Sequence, residues 1–116
     1  MSIKYAYLGP AGTFTEAALQ KIATASDQLI AFANVTAALD AVRKGDCQKA
    51  FVPIENSVEG VVARTLDELA IGDALVITAE TTLPVSFSLM SLENKDPKSI
   101  NTIATHPHAE SQCREY

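Results

Sequence analysis

Three short stretches hold most of the side chains that could do chemistry. Glu55-Asn56-Ser57 with Glu59 follows directly on the apolar run Ala50-Phe51-Val52, from which Pro53 separates it. Gly9-Pro10-Ala11-Gly12-Thr13-Phe14-Thr15-Glu16 follows the apolar run Tyr5 to Leu8, and Thr105-His106-Pro107-His108 follows Ile100 to Ala104. In each, an apolar stretch ends in a polar loop that opens a helical pattern. Open α/β sheets place their ligands at such loops, beyond the carboxyl ends of the strands. Our reading is that the three loops converge on one small anion, held by free N–H groups and hydroxyls at helix starts.

Each loop has a plain structural reading beside the functional one. Gly9 and Gly12 allow a tight turn and close approach of a ligand, and Thr13 with Glu16 three residues on forms a capping-box pattern. The loop is neither a Walker loop nor a dinucleotide fingerprint, because the Gly-Lys-Ser/Thr end and the G-x-G-x-x-G spacing are both absent. In the second stretch, Asn56 can donate its amide to a carboxylate or hydroxyl. Ser57 is a hydroxyl donor or a helix cap. Glu55 is a general acid if burial raises its pKa, or a structural anchor paired with a base. Arg64 reads better as a salt-bridge partner than as an anion ligand. In the third, His106 and His108 lack the close carboxylate or thiolate partners of a metal site. His106 reads as a residue of the helix start. Gln112 shares a helical face with Ala109, Cys113 and Tyr116, the face expected to be buried, so its amide needs a partner from the fold or from a ligand.

The elements that must carry these residues alternate. Ile3 to Leu8 reads as a buried strand, Thr13 to about Thr24 as a helix, and Leu29 to Ala33 as a second strand. A helix follows, capped by Asn34, with Ala37, Ala38, Ala41 and Val42 on its buried face and Gly45 beyond its end. Lys49 to Ile54 reads as the third strand. Gly60 then releases a helix over Val61 to Ala70 with Val62, Leu66 and Leu69 on one face. Leu75 to Thr81, the alternating Val85, Phe87 and Leu89, and Ile100 to Thr105 read as further strands, and Pro107 as the first residue of a last helix. This order predicts an α/β fold, a mainly parallel sheet between two helical layers. The boundary falls near Thr82-Leu83-Pro84 or in the Glu93 to Lys98 turn. The helical spacing runs up to Tyr116 without a stop signal, which reads as a piece of a longer chain.

Composition narrows the class. The chain has 116 residues, 47% of them hydrophobic and 20% charged, and a net charge of −5. That suits one small globular domain and argues against nucleic-acid binding, which usually wants a basic face. Cys47 and Cys113 have neither disulfide-framework nor zinc spacing. No apolar run approaches the ~18 residues of a membrane helix or has the form of a signal peptide. The expected setting is the cytoplasm, with no membrane partner.

Taken together, the stretches Tyr7-Leu8-Gly9-Pro10-Ala11-Gly12-Thr13-Phe14-Thr15-Glu16-Ala17-Ala18, Val52-Pro53-Ile54-Glu55-Asn56-Ser57-Val58-Glu59-Gly60 and His106-Pro107-His108-Ala109 with Gln112-Cys113 resemble prephenate dehydratase. The resemblance implies decarboxylating dehydration of prephenate to phenylpyruvate, a lyase step of phenylalanine biosynthesis that uses no cofactor or metal. It implies a type II periplasmic-binding-protein-like fold with the site in the cleft between two lobes. Residues 1–82 would be the first lobe and 83–116 the start of the second, so the catalytic domain here is truncated. Asn56 and Gln112 match active-site residues of the family. Gly12, Thr13, Phe14, Thr15, Glu55 and Ser57 are the expected substrate-binding residues. The family's Thr-Arg-Phe motif with its catalytic Thr is absent, so these 116 residues alone are expected to be inactive. His108 stands where the family often has Gln. The complete enzyme would be a homo-oligomer. The competing class is a non-catalytic anion-binding lobe of a periplasmic-binding or regulator type, which shares the topology without the chemistry.

Overall fold

A computed structural model of the chain describes residues 1–115. It contains two compact units, Met1–Pro84 and the segment that begins at Val85.

The first unit is built on β1 (Lys4–Leu8), a five-residue strand whose middle residues Tyr5, Ala6 and Tyr7 are all buried. β2 (Gln28–Phe32) and β3 (Lys49–Phe51) pair with it in parallel on either side, giving the order β2-β1-β3. The connections are α1 (Phe14–Leu19) and α2 (Val35–Arg43). The two crossovers run in opposite directions along the sheet, one from β1 to β2 and the other from β2 back past β1 to β3, so a common right hand puts their helices on opposite faces. The packing agrees with this. Tyr5 and Tyr7 cluster with Leu19 of α1, whereas Ala6 clusters with Ala38 and Ala41 of α2 and with Cys47. Successive residues of one strand thus serve two faces. The predicted α/β class, with its parallel sheet between helical layers, is what is found.

Local chemistry fixes the element ends. Asn34 caps α2, its Oδ1 accepting the Ala37 N–H at 2.8 Å. Asp27 closes the turn before β2: its carboxylate accepts N–H groups from Ile3 and Thr24, both at 2.8 Å, and the Thr24 hydroxyl. α1 is shorter than expected. After Leu19 the N–H groups of Lys21 and Ile22 turn to carbonyls three residues back, and a tightened turn replaces the helix expected to reach Thr24. β3 likewise stops at Phe51, two residues before the proline that cannot donate to a ladder.

α3 (Ala63–Ile71) is held to α2 by a polar clamp. Arg43 donates to Asp40 and to the Glu68 carboxylate, both at 2.9 Å, and to the carbonyl oxygens of Glu68 at 2.8 Å and Asp73 at 3.3 Å. The Thr36 hydroxyl donates to the other Glu68 oxygen at 2.6 Å. Gly72 makes room for it, because a Cβ there would lie 2.0 Å from an Arg43 guanidinium nitrogen. The buried face of α3 is led by Thr65, not by Leu66, which is exposed.

Three expected strands, Leu75 to Thr81, Val85 to Leu89 and Ile100 to Thr105, carry no strand structure. Their composition suits strands, but a strand exists only against a partner ladder, and among the described residues none lies beside them. The second unit instead contains a 3-10 turn at Pro97–Ser99 and α4 (Pro107–Gln112).

Candidate functional site

The loop after β1 is shaped by two glycines. Gly9 donates its N–H to the Phe32 carbonyl at 2.8 Å, and a Cβ on it would sit 2.9 Å from the Ala31 Cβ. Only glycine passes that close to β2. The peptide between Gly9 and Pro10 is cis. Gly12 has φ +84, the left-handed region, with open space where a side chain would project. Its N–H donates to Glu16 Oε2 at 2.5 Å.

Thr13 is the N-cap of α1, as its sequence position predicts, yet its hydroxyl makes no cap bond. Glu16 reaches one residue further back than a capping box requires and takes the Gly12 N–H. The Thr13 Oγ1 is buried without a hydrogen-bond partner among the described residues. An unmet buried hydroxyl costs free energy and marks a place where a partner fits. Phe14 is 47% exposed, and Thr15 lies half-buried beside it in the first turn of α1.

The loop after β3 is not the direct strand-to-helix turn expected. Glu55–Asn56 (β4) and Gly60–Val61 (β5) pair antiparallel, Asn56 opposite Gly60. Ser57, Val58 and Glu59 form a three-residue tip, and Gly60, at φ +83, supplies the left-handed residue that such tips require. Asn56 Oδ1 accepts the N–H groups of Val58 at 2.9 Å and Glu59 at 3.3 Å. That pins the oxygen into the tip and leaves the amide NH₂ as the donor end that can meet a ligand. Ser57 is exposed at the tip and caps nothing; Val62 occupies the N-cap of α3. Glu55 is exposed, so it lacks the burial that would suit it to acid catalysis. Arg64 is exposed and forms no ion pair among the described residues, which corrects the salt-bridge reading.

Parallel pairing of β1 with β3, Tyr7 opposite Phe51, sends both loops out at the same edge of the sheet. β1 and β3 flank the point where the connections diverge, the usual ligand position in open α/β sheets. Gly12, Thr13, Phe14, Thr15, Glu55, Asn56 and Ser57 thus share one edge. Neither loop contains a Lys, Arg or His, and between them they carry Glu16, Glu55 and Glu59. A shallow cavity of about 380 Å³ lies elsewhere, along α2, lined by Phe32, Asn34, Asp40 and Lys44.

Gln112 belongs to the second unit, as the half-buried last residue of α4. Ala109 is half-buried on the same helix, but Cys113 is exposed, so the face expected to be buried is only partly so. Tyr116 lies outside the described residues. His106 caps α4, its Nδ1 accepting the His108 N–H at 3.1 Å, and the two rings meet edge to face at 4.8 Å. That is the helix-start role read from its position.

Two residues near the site escaped the sequence reading. Thr65, 1% exposed, donates its hydroxyl to the Pro53 carbonyl at 2.7 Å and ties α3 to the exit of β3. Its spacing from Val62 and Leu69 places it on the inner stripe, a signal that was present. Tyr7, 2% exposed, is buried on the α1 side of β1, with Glu16 of α1 close enough to act on its phenol. Burial first, and then the Glu16 carboxylate, push that phenol above the usual tyrosine range. A tyrosine within a run read as a buried strand was the clue.

An open parallel sheet with two glycine-bearing loops at its switch point defines an α/β ligand-binding or catalytic lobe. The prephenate dehydratase family model matches residues 5–116, and the chain belongs to that family. It is 49% identical over 113 residues to prephenate dehydratase of Amycolatopsis methanolica and 45% identical over 122 residues to that of Mycobacterium marinum. Each match takes in 97% of this chain but only 36% and 39% of the relative. Among solved structures, prephenate dehydratase from Arthrobacter aurescens in complex with L-Phe is 51% identical, with a TM-score of 0.57 over 62% of this chain and 24% of that one. The enzyme from Streptococcus mutans is 40% identical, with a TM-score of 0.53 over 58% of this chain and 35% of that one. No described helix is long and apolar enough to cross a membrane.

Proposed function

We propose that the chain supplies the first part of a catalytic domain that converts prephenate to phenylpyruvate, water and carbon dioxide. The observation that carries this is the family match over residues 5–116, because the topology alone would serve a binding lobe equally well. In the reaction the bond from the ring to its carboxylate breaks and releases carbon dioxide. Its electron pair enters the ring as the hydroxyl leaves, with a proton, as water. The electrons are rearranged within the substrate, so no external oxidant or reductant takes part.

The role of this chain is to hold a dianion and favour that charge movement. The Thr13 hydroxyl, without a hydrogen-bond partner among the described residues, and the Asn56 NH₂ meet substrate oxygens. Gly12, Phe14, Thr15, Ser57 and Glu55 line the same edge. Gln112, on residues 83–116, which we read as the start of a second lobe following the first lobe of residues 1–82, is the further catalytic amide. Preorganised donors of this kind each typically govern about 10²–10³ in rate. The two loops are acidic, so the positive charge that a dianion needs comes from outside them. The hydroxyl acid of the family motif lies beyond this chain too, and the 116 residues alone are inactive. The reading carries with it a cytoplasmic, homo-oligomeric enzyme that binds neither nucleic acid nor membrane, in keeping with the net charge of −5.

The test is phenylpyruvate formation from prephenate, followed spectrophotometrically, for the full product of the gene and for residues 1–116 side by side. Turnover by the first and none by the second is expected. No turnover by the full product sinks the proposal; turnover by residues 1–116 refutes the dependence on groups outside this chain.

A further inference from the structure

The Asn56 amide is presented by a hairpin with little of its own to hold it. β4 and β5 are two residues each, and pairing over so short a length is at best marginal in water. Ile54, Glu55 and Val61 are exposed, so apolar packing does not seat the hairpin either. Its base is where it meets the rest of the lobe. There the Val62 N–H donates to the Ile54 carbonyl at 2.9 Å, and the Thr65 hydroxyl donates to the Pro53 carbonyl at 2.7 Å. The hydroxyl of a helical threonine ordinarily turns to a carbonyl three or four residues back in its own helix. Thr65 reaches twelve residues back instead, from a side chain that is fully buried. The helix on which it stands is itself anchored. One turn further on, Glu68 accepts from the Thr36 hydroxyl at 2.6 Å and from Arg43 at 2.9 Å, both on α2.

We infer that Thr65 is a positioning residue: by holding the Pro53 carbonyl it seats the hairpin on the anchored α3 and so fixes where the Asn56 amide stands. The inference rests on the proposed role of Asn56 toward substrate. Asn56 Oδ1 is bound to the N–H groups of Val58 and Glu59, so the amide and the hairpin tip move as one body. What that body needs is a fixed base. Proline has no N–H, so its carbonyl is the one backbone group by which Pro53 can be hydrogen-bonded. Without the Thr65 hydroxyl the base keeps the single Val62 bond and becomes a hinge. A catalytic group displaced by an ångström loses much of its value, although no contact with substrate has been removed.

The test uses Thr65→Val, Thr65→Ser, Asn56→Asp and the double variant Thr65→Val with Asn56→Asp, each made in the full product of the gene. Valine keeps the buried shape and removes the hydroxyl; serine keeps the hydroxyl and removes a methyl. Hydrogen–deuterium exchange by mass spectrometry follows the peptide spanning Ile54 to Val62, with the β1 peptide as internal reference. The second readout is kcat and KM for phenylpyruvate formation. Thr65→Val is expected to speed exchange of the hairpin peptide about tenfold while β1 exchange holds. It should lower kcat about tenfold and leave KM within about twofold. Thr65→Ser should keep both readouts close to the wild type. In the Asn56→Asp background Thr65→Val should cost no more than about a further twofold in kcat, as for residues acting in series. A mere loss of folded protein would cost the same factor in both backgrounds. Unchanged hairpin exchange in Thr65→Val, equal losses in the two backgrounds, or a Thr65→Ser variant as impaired as Thr65→Val would overturn the inference. Absence of turnover in the wild type counts against the proposed reaction instead, and hairpin exchange in Thr65→Val and Thr65→Ser still decides whether Thr65 seats the hairpin.

Discussion

Asn56 has two ends with two jobs. Its oxygen secures the hairpin tip through the N–H groups of Val58 and Glu59; its NH₂ is the end assigned to substrate. Asn56→Asp separates them, because a carboxylate still accepts both N–H bonds but donates nothing. In the full product of the gene we expect Asn56→Asp to keep its thermal stability and to lose about 10²–10³ in kcat, with KM changed far less. An Asn56→Asp enzyme with near-normal kcat would remove Asn56 from the catalytic set. Leu19 offers the opposite kind of test. It is 0% exposed and carries the α1 side of the core. Leu19→Ala should cost about 2–5 kcal/mol, measured by denaturant unfolding.

Elements are joined here by polar clamps as much as by apolar contact. Arg43, on α2, ends against the Glu68 carboxylate and the backbone carbonyls of Glu68 in α3 and of Asp73 just beyond it, in space that Gly72 leaves empty. Gly72→Ala must therefore expel the guanidinium, and we expect a Tm lower by several degrees; Arg43→Met should lower it by a similar amount, and the two together by little more. Full additivity in calorimetry would argue against a shared cause. The clamp also shows why some of the structure was not legible in the sequence. Arg43 and Glu68 are 25 residues apart and follow no local pattern, whereas β1, α2 with its Asn34 cap, and α4 with Pro107 were read from local signals alone. The hairpin of Asn56 and Gly60 was missed because an apolar run with a following Gly suits a strand-to-helix turn just as well; pairing over so few residues leaves no periodicity. The three strands assigned between Leu75 and Thr105 had the right composition, but composition cannot supply a neighbour to pair with.

For the molecule as a whole, acid should be the weak side. The Asp27 carboxylate is held below the usual range, chiefly by the N–H groups of Thr24 and Ile3, and Glu68 likewise by the Thr36 hydroxyl and Arg43. A depressed folded-state pKa means that the unfolded chain takes up protons first. The stabilisation is complete above the unfolded carboxylate values, about 4, and is lost as pH falls through the lower folded ones. Thermal unfolding followed from pH 7 to pH 2.5 should show Tm falling below about pH 4. Asp27→Asn should start lower and show a shallower fall; an unchanged slope would mean that other carboxylates carry it. The site, too, was only partly legible at this scale. Residue types marked the two loops, but the acidity of both becomes meaningful once the sheet places them at one edge.

The two faces of β1 differ in thickness. On one side tyrosines hold α1 off the sheet; on the other Ala6 lets Ala38 and Ala41 bring α2 close. Close approach of this kind leaves the three alanines no independent future. A larger residue at any one of them must be met by a helix that has moved, and moving α2 drags Arg43 and with it α3. Descendants of this sequence should keep these three small side chains as a block or change them together. The tyrosine face, where long side chains can re-pack, is where sequences are free to drift one residue at a time.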